Sequence, residues 1–258
     1  MQLLNSAIWS KLSLRYENYC ARIIAHDSPG AVLLAALFAV VLTACQTLPQ
    51  TVTASPTPQA GRPASHIGKR YIVDPQVSEI RLLVYRDGPM ARFGHNHVMI
   101  GQVQGELNVS DSAAASGFHL EIPVDSFVVD APLPRGEEGE EFSAHVSDQA
   151  RKGTRDNMLG PDVLDAAHYP EIRIESDSLV GPRWNPGVTA HITVRGHRSE
   201  LKFPAAVIEQ PGSLTVIAAF HVLQSNLGIK PFSVLGGAIR VRDDIEIRVR
   251  LVARAASK

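Results

Sequence analysis

The run Gly94-His95-Asn96-His97 sets two imidazoles at positions i and i+2, which on a β-strand share one face. Side chains so placed can ligate one metal ion, but a complete site needs further ligands. His119, His145, His168 and the carboxylates are candidates that spacing alone does not place. Two other uses compete: contact with the polar head of a ligand, and plain hydrogen bonding at the rim of a sheet, the simplest of the three. A second pair, Arg155-Asp156, has the residue types for phosphate binding or acid–base work. Its simpler use is to fasten a helical segment to its neighbours through charge-assisted hydrogen bonds. Serines are plentiful, yet none stands in a nucleophile context, and no Walker loop, dinucleotide fingerprint, HExxH or GxSxG occurs. No catalytic residue is assigned, no cofactor is expected, and the chain is not expected to be an enzyme.

The remaining reactive group is a thiol. Ala31 to Leu42 is an unbroken apolar run that ends on Thr43-Ala44-Cys45 before turning polar at Gln46. It is too short for a membrane span, which needs about 20 apolar residues, and its layout is that of a signal peptide. Leu42-Thr43-Ala44-Cys45 resembles the lipobox of bacterial lipoproteins, which implies diacylglycerol on the Cys45 sulfur and a mature chain starting there. The stretch before the apolar run is unusually long and points to a translation start downstream of Met1. Residues 46–65 are rich in Pro, Thr, Ser, Ala and Gln, and are expected to form a flexible tether. The chain thus divides into a signal peptide (1–44), a lipidated cysteine with tether (45–68) and a folded domain (69–258). Two acyl chains or more give stable anchoring, and the expected location is the cell envelope, facing the periplasm. Gln46 after the cysteine resembles the enterobacterial sorting pattern, which implies the outer membrane.

The net charge of −1 argues against a nucleic-acid surface, which carries a basic excess. Only two cysteines are present, Cys20 and Cys45, so the folded domain has none for a disulfide or a thiolate metal site.

What must position His95, His97 and Arg155 is antiparallel sheet. Alternation of period two marks strands at 79–85, 102–109, 118–124, 171–176, 188–194, 200–208, 213–223 and 244–253. Turn formers such as Gly181-Pro182, Asn185-Pro186-Gly187 and Gln210-Pro211-Gly212 stand between them. About eight short strands of this kind make a sandwich or an up-and-down barrel. Between Phe127 and Pro170 the alternation fails. There Phe142, Val146, Met158, Val163 and Leu164 give short helices an apolar face, which predicts a barrel closed at one end by a helical insertion. The acidic residues Glu137, Glu138, Glu140 and Glu141 read as a solvated loop, and Tyr71 and Trp184 as packing or turn aromatics. In 213–223 both faces are apolar, through Leu214, Val216, Ala218, Phe220 and Val222 on one side and Ile217 and Ala219 on the other. That strand is expected to be buried on both sides, under the insertion.

The order of local motifs is similar to that of the YceI-like family of periplasmic proteins. Tyr71-Ile72-Val73-Asp74-Pro75 with Ser78 resembles the family's opening strand. Phe93 to Val98, followed by Gly101 and Gly105, resembles its second. Thr154-Arg155-Asp156 with Leu159, Asp165, Tyr169-Pro170 and Ser176 resembles its arginine–aspartate helix and the strand after it, and Asn226-Leu227-Gly228-Ile229 its closing loop. The proline-bearing acidic segment Asp130 to Glu141 departs from the family's threonine-rich one. The resemblance implies an all-β, lipocalin-like barrel that holds a polyisoprenoid, either a polyprenyl quinone or a polyprenyl phosphate. For such a ligand the candidate contacts are Phe93, His95, His97, Phe142, Arg155 and Met158. The alternative is a metal-dependent enzyme or metal carrier built on His95 and His97. The expected partners are an isoprenoid lipid and the anchoring membrane, and a homodimer is compatible with the sequence.

Overall fold

The computed structural model describes residues 68–256. The expected signal peptide, Cys45 and all of the tether but Gly68 lie outside the described residues. Among the described residues fourteen strands and two α-helices follow in order. The strands are β1 (Lys69–Val73), β2 (Glu79–Val84), β3 (Arg86–Asp87), β4 (His97–Gln102), β5 (Gln104–Val109), β6 (Gly117–Pro123) and β7 (Val128–Val129). After the helices α1 (Pro132–Gly136) and α2 (Asp148–Leu159) come β8 (Glu171–Val180), β9 (Gly187–Val194), β10 (His197–Gln210) and β11 (Ser213–Leu223). The chain ends with β12 (Ser233–Val234), β13 (Ile239–Val241) and β14 (Asp244–Ala255).

Eight strands close a ring in the order β1-β5-β6-β8-β9-β10-β11-β14, with β14 returning to β1 through Tyr71↔Ala255 and Val73↔Ala253. Every pairing is antiparallel, and closure removes the open sheet edge that would invite aggregation. β1 and β2 are two halves of one stave against β14, with pairing resumed at Glu79↔Arg250 three residues out of the register of Tyr71↔Ala255. The break has a chemical cause. Pro75 has no N–H to donate, and the Ser78 hydroxyl takes over locally, accepting from Val252 N at 2.9 Å and reaching Val252 O at 3.3 Å. β4 and β5 likewise form one stave bent at Val103. Gly105 there has φ +132°, and a Cβ on it would stand 2.2 Å from His119 O, so only glycine fits.

Alternation sorts the staves into an inner and an outer face. In β9, Val188, Ala190, Ile192 and Val194 are buried while the residues between them are half-exposed. β11 corrects one expectation: Leu214, Ala218 and Val222 face inward, but Ile217 is 44% exposed and the insertion does not cover it. The insertion instead caps the barrel end and wraps the outside of the β2–β4 wall. Met158 and Leu164 enter the main core, whereas Phe142 packs outside on Leu83 and Val98, its ring 5.5 Å from that of Tyr85. α2 starts where the Ser147 hydroxyl accepts from Ala150 N, an N-cap.

The acidic segment also departs from expectation, because it is not a free solvated loop. The Glu138 side chain is only 4% exposed, lying 2.6 Å from Arg81 Nη1 and 2.7 Å from Arg248 Nη1. Arg81 points outward from β2 as alternation requires, and an outward arginine on a strand needs a carboxylate when a loop buries it. Tyr71 is a core residue, and Trp184 is exposed in the β8–β9 turn.

Candidate ligand chambers

Two cavities lie end to end along the barrel. Successive inward residues of the same strand line one and then the other: Ile80 and Leu82 on β2, Ile247 and Ile245 on β14. The first, of about 120 Å³, is walled by aliphatic side chains and by Phe203 and Phe220, stacked at 4.4 Å across β10 and β11. Polar groups enter it only at its far end, where Asn108, Ser116, Arg183 and Glu209 stand at the mouth opposite the insertion. The second, of about 230 Å³, lies under the insertion, with Met99, Met158 and Ile245 among its apolar walls and His95, His97, Thr154, Asn157 and Gln224 among its polar ones.

The polar side is held by a buried carboxylate. Asp130, fully buried, follows β7 with φ +50°, a conformation that Asp tolerates better than most residues. Its Oδ1 accepts from Val98 N at 2.9 Å and Arg135 Nη1 at 2.7 Å, and its Oδ2 lies 2.6 Å from His97 Nδ1. Arg135 also donates to Asn96 O and Ala144 O, and the Asn96 amide bridges Arg86 N to Glu141 O, so the segment 135–144 is fastened to the start of β4. Burial pushes the Asp130 carboxyl up, but the hydrogen bond from His97, the Val98 amide and the Arg135 charge bring it net below the usual carboxylate range. An ionised carboxylate only accepts, so the proton of a neutral His97 sits on Nδ1 and leaves Nε2 as the acceptor without a protein partner among the described residues. His95, its ring centroid 6.4 Å from that of His97, is held below the usual histidine range first by burial and then by its neighbours His97, Arg135 and Arg86.

Of the six sequence candidates, His95, His97 and Met158 meet in this one chamber. Phe93 does not: it is 58% exposed, with the Arg92 guanidinium 4.7 Å from its ring. Phe142 lies on the outer wall. Arg155 donates to the carbonyls of Phe127 at 3.1 Å and Asp125 at 2.8 Å, pinning α2 to the bend between β6 and β7, while Asp156 pairs outside with Lys152. That bend seats Phe127 against Gly101, where a Cβ would come within 2.8 Å of the ring. Sequence reasoning missed Asp130 and Arg135, whose only signal was a lone acid and a lone base in a stretch without alternation. Among the described residues no group of three His, Cys, Asp or Glu side chains is gathered to hold a metal, and His97 Nδ1 is already committed to Asp130.

A closed eight-stranded antiparallel barrel with cavities along its axis defines a lipocalin-type binding fold. The family model of the YceI-like domain matches residues 71–253, and the chain belongs to that family. Comparison with curated proteins gives no match. Among solved structures the chain is similar to a polyisoprenoid binding domain from Saccharophagus degradans, at 10% identity and a TM-score of 0.50 over 72% of this chain and 98% of that one. It is also similar to BcnA of Burkholderia cenocepacia, at 18% identity and a TM-score of 0.48 over 70% and 98%. The YCEI protein of Campylobacter jejuni gives 11% identity and a TM-score of 0.44 over 60% and 82%. The likeness to the Saccharophagus degradans domain is one of fold.

Proposed function

We propose that the barrel binds a polyisoprenoid lipid, a polyprenyl quinone or polyprenyl phosphate, with its chain in the apolar chamber and its polar head toward the other. The observation that carries this is the pairing of an almost purely hydrocarbon interior with an adjoining chamber where His97 and its neighbours converge. Family membership and the description of the Saccharophagus degradans domain support the lipid class. Burial stabilises by about 0.8 kcal/mol per methylene, so each enclosed isoprene unit contributes roughly 3–4 kcal/mol before the cost of ordering the chain. No reactive group is required for affinity. We further propose that Cys45 carries a lipid anchor that keeps the barrel at the envelope, on the periplasmic side of the outer membrane, and that the bound lipid is distinct from the covalent one.

Solvent extraction of protein purified from its native host, followed by mass spectrometry, tests the reading. A stoichiometric polyisoprenoid is expected, and repeated recovery of an empty barrel would sink it. For the anchor, the mass of the amino-terminal peptide should show acylation at Cys45 that Cys45→Ser abolishes.

A further inference from the structure

At the insertion end the barrel mouth is overhung by a small sheet, in the order β12-β13-β3. Its strand β12 and the turns flanking its strands hold large apolar side chains in the open: Val234 on the strand, and Met90, Phe93 and Leu235 in the turns. The two turns touch, since Met90 N donates to Ala238 O at 2.9 Å and a Cβ on Gly88 would meet that same oxygen at 2.6 Å. Leu235 sits at φ +52° with Gly236 and Gly237 also left-handed, so the hairpin tip holds a leucine, 61% exposed, in a conformation that disfavours it. Strain of that kind, kept to project an apolar side chain into water, is a signature of function rather than of packing.

The charge around these side chains is one-sided. Residues 86–95 and 230–242 contain Arg86, Arg92, Lys230, Arg240 and Arg242 against Asp87 as the one acid, in a chain whose net charge is −1. Asp87 is taken by Arg240 at 2.8 Å. Among the described residues Arg86, Arg92, Lys230 and Arg242 have no carboxylate partner. Arg86 bonds Gly94 O and Arg242 lies over the Tyr85 ring. Glu140 and Glu141 line an outer cleft with Arg86 and Arg242 but pair with neither. Val234 is both exposed and part of the wall of the polar chamber, which its half-buried neighbours Phe232 and Ile239 also line, so the chamber opens beneath this surface. The opposite mouth differs. Trp184, Val180 and Ile208 are exposed there, but Arg183 is spent on Glu209 at 2.6 Å and Arg70 on Glu106 at 2.7 Å.

We propose that this face docks on an anionic lipid bilayer, with Met90, Phe93, Val234 and Leu235 entering the interfacial layer and the unpaired basic side chains meeting the headgroups. The chamber mouth then faces the membrane, and a lipid passes between bilayer and barrel without crossing water. The purpose rests on the lipid-binding reading, but the docking is measured separately.

Hydrogen–deuterium exchange on the full chain tests it locally, whatever attaches the rest of the protein. The chain is mixed with phosphatidylcholine vesicles or with phosphatidylcholine–phosphatidylglycerol vesicles. Amides of residues 88–93 and 233–238 should exchange several-fold more slowly on the mixed vesicles only. High salt and the double variant Phe93→Asp/Leu235→Asp should remove the effect, with exchange in β9 to β11 unchanged as proof of fold. Equal protection on both vesicle types, protection at the 181–187 turn instead, no protection at either turn, or full protection in the folded double variant overturns the proposal. A barrel that yields polyisoprenoid on extraction yet shows no such protection keeps its ligand reading and loses its docking face. An empty barrel that is protected keeps the face and loses the ligand.

Discussion

The two chambers of one barrel are built on opposite principles. The first is a product of strand alternation: every stave contributes small and large hydrocarbon side chains, and nothing in its middle needs a hydrogen bond. The second is built where alternation stops, from side chains that a loop and a helix bring over the mouth and that a buried ion pair holds in place. The first has no ionisable group in its middle for pH to act on, and burying a charge there would be costly. The second depends on a few polar contacts whose loss uncovers a buried charge. An amphiphile is the ligand that uses both.

The largest effect expected is at the polar chamber. Asp130→Ala leaves the Arg135 guanidinium buried without its carboxylate and frees the His97 ring. A loss of about 3–5 kcal/mol is expected, read from the shift in denaturant midpoint at constant slope. An unchanged midpoint would show that the two chambers are equally robust. In the apolar chamber, Ala218→Trp fills space between the walls of β10 and β14. Extractable lipid per folded protein should fall by roughly tenfold or more, equivalent to about 1.4 kcal/mol of affinity, while circular dichroism stays that of a barrel. Retained lipid would place the chain elsewhere.

At the polar end acid should act in two steps of the same sign. Asp130 has a folded pKa below its ordinary 3.8, so the unfolded chain binds the proton first. Its contribution is complete above that value and is lost as pH falls through the folded pKa. His95 is also depressed below its ordinary 6.5, so unfolding takes up a proton there and stability declines as pH drops below about that point. His95→Gln should flatten the upper step of a stability–pH curve and leave the lower one intact. A curve with the same upper step in the variant would assign it to another group. The smallest effect belongs to the outside of the apolar wall. Ile217→Ser, on the exposed face of β11, should change stability by no more than about 0.5 kcal/mol, as measured by thermal unfolding. A larger loss would mean that this face is covered.

Legibility followed the same division. The staves 79–84, 104–109, 187–194 and 213–223 could be read from period-two patterning because each residue's side is set by its own parity. His95, His97 and Met158 were legible as candidates by type. Phe93, Phe142 and Arg155 were equally plausible by type, but structure sends one to the open rim, one to the outer wall and one to the carbonyls of a bend. A helix or loop residue has no parity to say which way it turns, and its partner is chosen by where the segment lands.

The amino-acid sequence therefore determined the sheet, its inner and outer faces, its break at Pro75 and the hydrocarbon nature of the interior, since each follows from local sterics or alternation. Tertiary structure alone decided the rest. It closed β14 on β1 across most of the chain, buried Glu138 between Arg81 and Arg248, and set Asp130 against a histidine 33 residues earlier. These contacts join residues whose separation in sequence carries no pattern, and they are stable only once the barrel wall exists to exclude water from them.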